Sequence, residues 1–209
     1  MLLFGHIGIT VGAALAAQRI YTHFHTQSSP HTETAGNSVE VTRDVSASDS
    51  SVRELFDLRI WLIGSILPDI IDKPLAVFTG DGRLLAHSLI FSGSLFAGGL
   101  FLAFFRKRLW LFALSLASMI HLVLDSMWKS PQDLFWPFYG FSFTLHHDGG
   151  WFTSIVHEFL ENPAVYIPEI VGMLIILGYL GLVIMKKYGN TTDQYRHIQQ
   201  VLRTSKRIL

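Results

Sequence analysis

Residues Ser88–Phe105 read SLIFSGSLFAGGLFLAFF, followed by Arg106-Lys107-Arg108 and then LWLFALSLASMIHLVL over Leu109–Leu124. A helix that crosses a bilayer needs roughly 20 mostly apolar residues. The first of these blocks meets that need without a single charge, and the second is interrupted only by His121. Two such blocks joined by a three-residue basic turn predict a helical hairpin in a membrane.

Outward from this pair, the same pattern recurs. Val165–Met185 is a further apolar block with one ionisable residue, Glu169, near its start. Leu2–Ile20 is a weaker one, broken by His6, in which Gly5, Gly8 and Gly12 have the spacing of closely packed helices. Its Ala14-Leu15-Ala16 resembles a signal-peptide cleavage site, but the stretch has no basic start and holds a histidine among its glycines, so a retained span is the better reading. Leu58–Ile71 is apolar but short and ends at Pro68, and predicts a fifth helix that is short or partly shielded by its neighbours. The expected fold class is therefore all-α, a polytopic transmembrane bundle of about five spans over residues 1–189, with a basic tail over 190–209. Composition agrees: of 209 residues, 50% are hydrophobic and only 15% charged, against about 25% charged in a soluble domain.

Two long connections separate the spans. Thr26–Ser51 is rich in Ser, Thr, Asp and Glu and reads as a mobile loop; His23, His25 and His31, at its start and within it, read as solvated. Residues 127–162 carry Trp128, Phe135, Trp136, Phe138, Tyr139, Phe141, Phe143, Trp151 and Phe152, a density suited to the headgroup layer. Pro131, Pro137, Gly140, Gly149 and Gly150 exclude a long helix there, so this segment is expected to lie along the interface and roof the bundle.

Basic residues set the expected orientation. With five spans and the N-terminus outside, 13 of the 16 Lys and Arg fall on the cytoplasmic side and only Lys73, Arg83 and Lys129 outside, as the positive-inside rule requires. The location expected is a multi-pass cell-membrane protein with a cytoplasmic C-terminus, whose basic tail rests on anionic lipid. Zero formal net charge argues against nucleic acid as a partner, and the absence of cysteine excludes disulfides and thiolate metal sites.

In this topology the polar residues fall at one level. His6 opens the first span, Asp69 and Asp72 follow the end of the second, His87 opens the third, and His121 with Asp125 closes the fourth. Ionisable groups at membrane depth are costly and usually functional. His121 and Asp125, four residues apart, share a helix face. Imidazole and carboxylate donors together suit zinc, manganese or iron. Each residue alone has a structural explanation as a cap or a core hydrogen-bonding group; the set at a common depth favours a metal site.

These residues carry a resemblance. His6 in a Gly-flanked first helix, Leu67-Pro68-Asp69, Ala86-His87-Ser88, His121-Leu122-Val123-Leu124-Asp125 and Trp136-Pro137-Phe138 look like the motifs of membrane-bound metal-dependent hydrolases first described as LexA-regulated inner-membrane proteins. Arg83 stands where that family usually has a basic residue before the His-Ser pair. The order of histidines and aspartates also resembles, more distantly, helical zinc phospholipase C and P1 nuclease proteins, in which His157 and Glu161 would supply a further pair; His146 and His147 are additional candidates. The resemblance implies one or two divalent ions, most simply zinc, with His6, Asp69, His87, His121 and Asp125 as ligands and Asp69 and Asp72 in catalytic roles. It implies hydrolysis of a phosphoester in a lipid or another amphiphile at the outer face, with membrane lipids as partners. Two other classes stand beside it: an ion or proton transporter, which would carry polar groups at several depths, and a non-catalytic protein with a structural metal.

Overall fold

A computed structural model describes residues 3–27, 50–79, 85–141, 156–157 and 159–205. Five helices dominate: α1 (Leu3–Gln27), α2 (Leu58–Thr79), α3 (Leu89–Arg106), α4 (Trp110–Leu124) and α5 (Pro163–Ser205). No strand occurs among the described residues, and the protein is a helical membrane protein as expected. Three stretches are long and apolar enough to cross a bilayer: Leu3–His25, Leu89–Arg106 and Pro163–Gly189. Of the other two expected spans, α4 is apolar but only 15 residues long, and α2 carries Arg59, Asp69, Asp72 and Lys73.

Helix directions alternate along the chain. The α3–α4 hairpin turns at Lys107, whose left-handed φ of 54° ends α3, and brings Phe96 and Phe112 into ring contact at 5.4 Å. On α1 and α2, Ala14 and Trp61 pack with Ala113 and Ala117 of α4 to form the buried core. At the far end of α1, His6 meets Asp125, so α1 runs antiparallel to α4. α5 then returns parallel to α1, with Phe4 beside Glu169, Gly8 against Gly172 and Gly12 against Ile175. The closest approach is at the two glycines: a methyl group on Gly8 would sit 2.1 Å from the Gly172 carbonyl oxygen, and one on Gly172 would sit 2.1 Å from the Phe4 carbonyl oxygen. Small residues let helix backbones touch where lipid offers no hydrophobic drive to association.

Two boundaries differ from the sequence expectation. α2 does not stop at Pro68 but runs through Pro68 and Pro74, because neighbouring helices can satisfy the backbone groups that a proline frees. α5 continues well past Lys186 as one helix of 43 residues, about 65 Å long at 1.5 Å per residue, so no break in the helix marks the start of the tail. The loop expected at Thr26–Ser51 lies almost wholly at residues 28–49, outside the described residues; His23 and His25 belong to α1 instead, with the His25 ring 4.4 Å from that of Tyr21.

The described part of the aromatic segment is a short 3-10 turn at Met127–Lys129, one helical turn at Pro131–Leu134, and further turns up to Phe141. Its apolar rings stand out from the bundle, Phe138 and Phe141 each more than 80% exposed. Residues 142–155, with Phe143, His146, His147, Trp151 and Phe152, lie outside the described residues.

A candidate metal centre between four elements

Local sequence sets each donor in place. Ser88 begins α3, its hydroxyl accepting the Phe91 N–H at 3.3 Å and donating to the Leu85 carbonyl at 2.6 Å. That cap closes the 3-10 turn Leu85–His87 and turns His87 inward to 1% exposure. On α4, Asp125 is the C-cap residue and its N–H bonds to the His121 carbonyl at 2.9 Å. The two side chains therefore leave the last turn of α4 on the same face. Asp69 follows Pro68 on α2.

The donors meet. One ligand-type atom from each of Asp69, His87, His121 and Asp125 lies within 4.8 Å of the others, a group that can hold a metal ion. His87 Nε2 and His121 Nε2 are 3.3 Å apart. Asp69 Oδ1 lies 3.6 Å from the first and 3.9 Å from the second, while Asp125 Oδ2 lies 3.7 and 3.8 Å from them. Ligands held about 2.0–2.2 Å from a tetrahedral ion are separated by roughly 3.3–3.6 Å, so the two ring nitrogens stand close to that spacing from each other and from each carboxylate oxygen.

Hydrogen bonding fixes which ring nitrogens face the centre. His87 Nδ1 is 2.7 Å from Asp72 Oδ2, and Asp72 also accepts the backbone N–H groups of Ala86 at 3.0 Å and His87 at 3.1 Å. His121 Nδ1 is 2.7 Å from the Ser65 carbonyl oxygen, an acceptor only, so that nitrogen carries the proton. Both Nε2 atoms consequently face two carboxylates with no protein donor between them. Two lone pairs and two anionic oxygens aimed at one point fit a cation. His87 stands in the turn between helices and shows the same demand. Burial opposes its charged form, yet Asp125 and Asp72 prevail and raise its pKa to about 9.

The remaining expected residues arrange themselves around this group. His6 is buried and converges on it, but its Nε2 meets the other oxygen of Asp125, Oδ1, at 3.0 Å, while its ring lies 4.2 Å from that of His121. Lys73 takes the second oxygen of Asp69 at 2.7 Å and is itself largely exposed. Asp69 is thus the donor at the open side, and the two histidines are the deepest. His157 and Glu161 do have the pairing their spacing predicts, at 3.2 Å, but both are about 70% exposed and bond to each other.

Two contributors escaped sequence reading. The Ser65 carbonyl is a backbone atom and leaves no signature in residue type. Glu169 stood out as the one charge in its span, but its partner is 165 residues away: its Oε2 accepts the Phe4 N–H at 2.9 Å and so holds the α1 N-terminus, two residues before His6. A carboxylate there is favoured by the helix dipole. Glu54 does the same for α4, accepting the Leu109 N–H at 2.9 Å and pairing with Arg108.

A bundle of apolar helices around a buried His–Asp cluster defines an integral membrane protein with a candidate metal centre. The family model for YdjM inner membrane protein matches residues 1–190, and the chain belongs to that family. No curated protein and no solved structure matches it.

Proposed function

We propose that the chain is a metal-dependent hydrolase of the membrane, acting on a phosphoester of a lipid or another amphiphile. The observation that carries this reading is the convergence of Asp69 from α2, His87 from the 3-10 turn and His121 with Asp125 from the end of α4. A divalent ion held there would lower the pKa of a bound water toward neutrality and neutralise charge developing on a phosphoryl oxygen.

The side chains take distinct parts in this proposal. His87 and His121 present Nε2, and Asp69 and Asp125 present one oxygen each. Asp72 has both oxygens engaged by His87 and its turn, so it orients the imidazole and strengthens it as a ligand instead of contacting substrate. His6 holds Asp125 from behind in the same way. Lys73, paired with Asp69 and largely exposed, would be the cation that meets a phosphate. Zinc is the simplest occupant, and two carboxylates among four donors also suit manganese or iron.

The span count and orientation belong to this proposal. Alternating helix directions and the 13 to 3 distribution of basic residues favour five passes, with the N-terminus and the metal centre outside and the C-terminus in the cytoplasm.

A second reading has its own support. Four protein donors closing on one ion would form a closed shell, the mark of a structural zinc site. Purified protein separates the two. Metal analysis should find a divalent ion, and a screen of phospholipid and phosphodiester substrates should find turnover that a chelator abolishes and the ion restores. Metal retention with no turnover on any amphiphilic ester, and loss of folding on chelation, would leave the structural reading.

A further inference from the structure

A second feature of the bundle lies away from the His–Asp cluster. Arg19 is 13 residues beyond His6 on α1, about 20 Å along the helix axis. There α1 and α5 open into a groove of about 530 Å³. Leu15 and Ala16 of α1 and Leu182 and Val183 of α5 form its apolar walls; Arg19, Lys186 and Tyr179 give it a polar rim. Both cations fall within stretches apolar enough to span a bilayer, Leu3–His25 and Pro163–Gly189. Among the described residues neither has a carboxylate partner, although other charges in the bundle do, as Lys73 has Asp69 and Arg108 has Glu54.

We propose that this groove binds one anionic phospholipid, its phosphate between Arg19 and Lys186 and its upper acyl chain along Leu15 and Leu182. Two cations with no carboxylate partner among the described residues, at the edges of the apolar stretches, call for an anion, and apolar walls call for hydrocarbon. An anionic phospholipid supplies both in one molecule. Inorganic phosphate would leave the walls uncovered, and a zwitterionic lipid would leave the pair of cations half neutralised. Basic pockets between spanning helices are established lipid headgroup sites, and the parallel course of α1 and α5 puts both cations at one level. Such a lipid would tie the far ends of α1 and α5 as Gly8 and Gly172 tie the near ends.

The test uses the full chain in bilayer nanodiscs of equal phosphatidylglycerol and phosphatidylcholine, extracted into mild detergent, with the lipid that stays bound counted by mass spectrometry. Phosphatidylglycerol should be retained at about one per chain and phosphatidylcholine should not. The R19Q/K186Q variant should lose that preference by roughly 30-fold, the equivalent of about 1 kcal/mol for each cation, while R19K/K186R keeps it. Millimolar inorganic phosphate should not displace the lipid. Equal retention of the two lipids by the parent chain overturns the proposal, even if the neutral variant fails to assemble. So does undiminished phosphatidylglycerol on a folded R19Q/K186Q protein, or displacement by phosphate alone.

Discussion

The Nε2 atoms of His87 and His121 face each other across 3.3 Å while their Nδ1 atoms bind Asp72 and the Ser65 carbonyl. Two imidazoles brought this close, with a carboxylate on either side, are held apart from direct bonding to each other unless one is protonated. The arrangement therefore has two stable fillings, a proton or a cation.

His121→Ala removes the donor at the centre of the group. Metal retention by the purified protein should fall more than 100-fold, since loss of an outer-shell partner alone costs 10–100-fold. The protein should still insert, because α4 loses no apolar length. His31→Ala should retain metal like the parent. Metal content after gel filtration checks both, and equal retention by His121→Ala would end the metal reading.

Asp72→Asn keeps the shape of the side chain and removes the charge behind His87. Divalent-metal affinity should drop by about 10–100-fold with little change in helicity. Titration of the apo protein with zinc, read by competition with a chelating dye, measures the drop.

Metal binding should release protons. With His87 raised to about 9, the site is protonated at neutral pH, and a ligating imidazole must be deprotonated. Below that pKa, affinity should fall about tenfold for each unit of falling pH, and near pH 7 about one proton should leave per ion bound. Calorimetry in buffers of different ionisation enthalpy counts it; no proton release would contradict the assigned ligand.

Gly172→Ala should weaken the centre without touching it. Its new methyl would meet the Phe4 carbonyl oxygen at 2.1 Å, so α1 must shift, carrying His6 from Asp125. Glu169→Ala acts on the same helix end by removing a charged hydrogen bond, a loss of about 1.5–3 kcal/mol. Both variants should show a lower melting temperature and weaker metal binding, with Glu169→Gln nearer the parent.

Reporter fusions after Arg108 and after Lys187 should both read cytoplasmic. An external reading at either position would reject the five-pass arrangement.

Much of this was legible because the bilayer restricts the solutions a sequence can adopt. Apolar runs marked α1, α3, α4 and α5, and a shared depth grouped His6, Asp69, His87, His121 and Asp125 before any contact was visible. What depth could not distinguish was which atom each residue offers. His6 shares the level yet meets Oδ1 of Asp125, the oxygen that does not face the two Nε2 atoms. The extent of α2 was hidden for a different reason: a proline's local preference to end a helix is overridden by packing in a bundle, which the residues around Pro68 and Pro74 do not record.

The pairing of Glu169 with the start of α1 also sets a timetable for biogenesis. At 5–20 residues per second, roughly 8–30 s separate synthesis of Phe4 from that of Glu169. Throughout that interval the nascent first helix lacks the carboxylate that ends its exposed amide and the glycine face against which it seats. The four donors Asp69, His87, His121 and Asp125 are all made before residue 169, so the contact of His6 with Asp125, near the end that Glu169 holds, would be the last part of the cluster to be fixed.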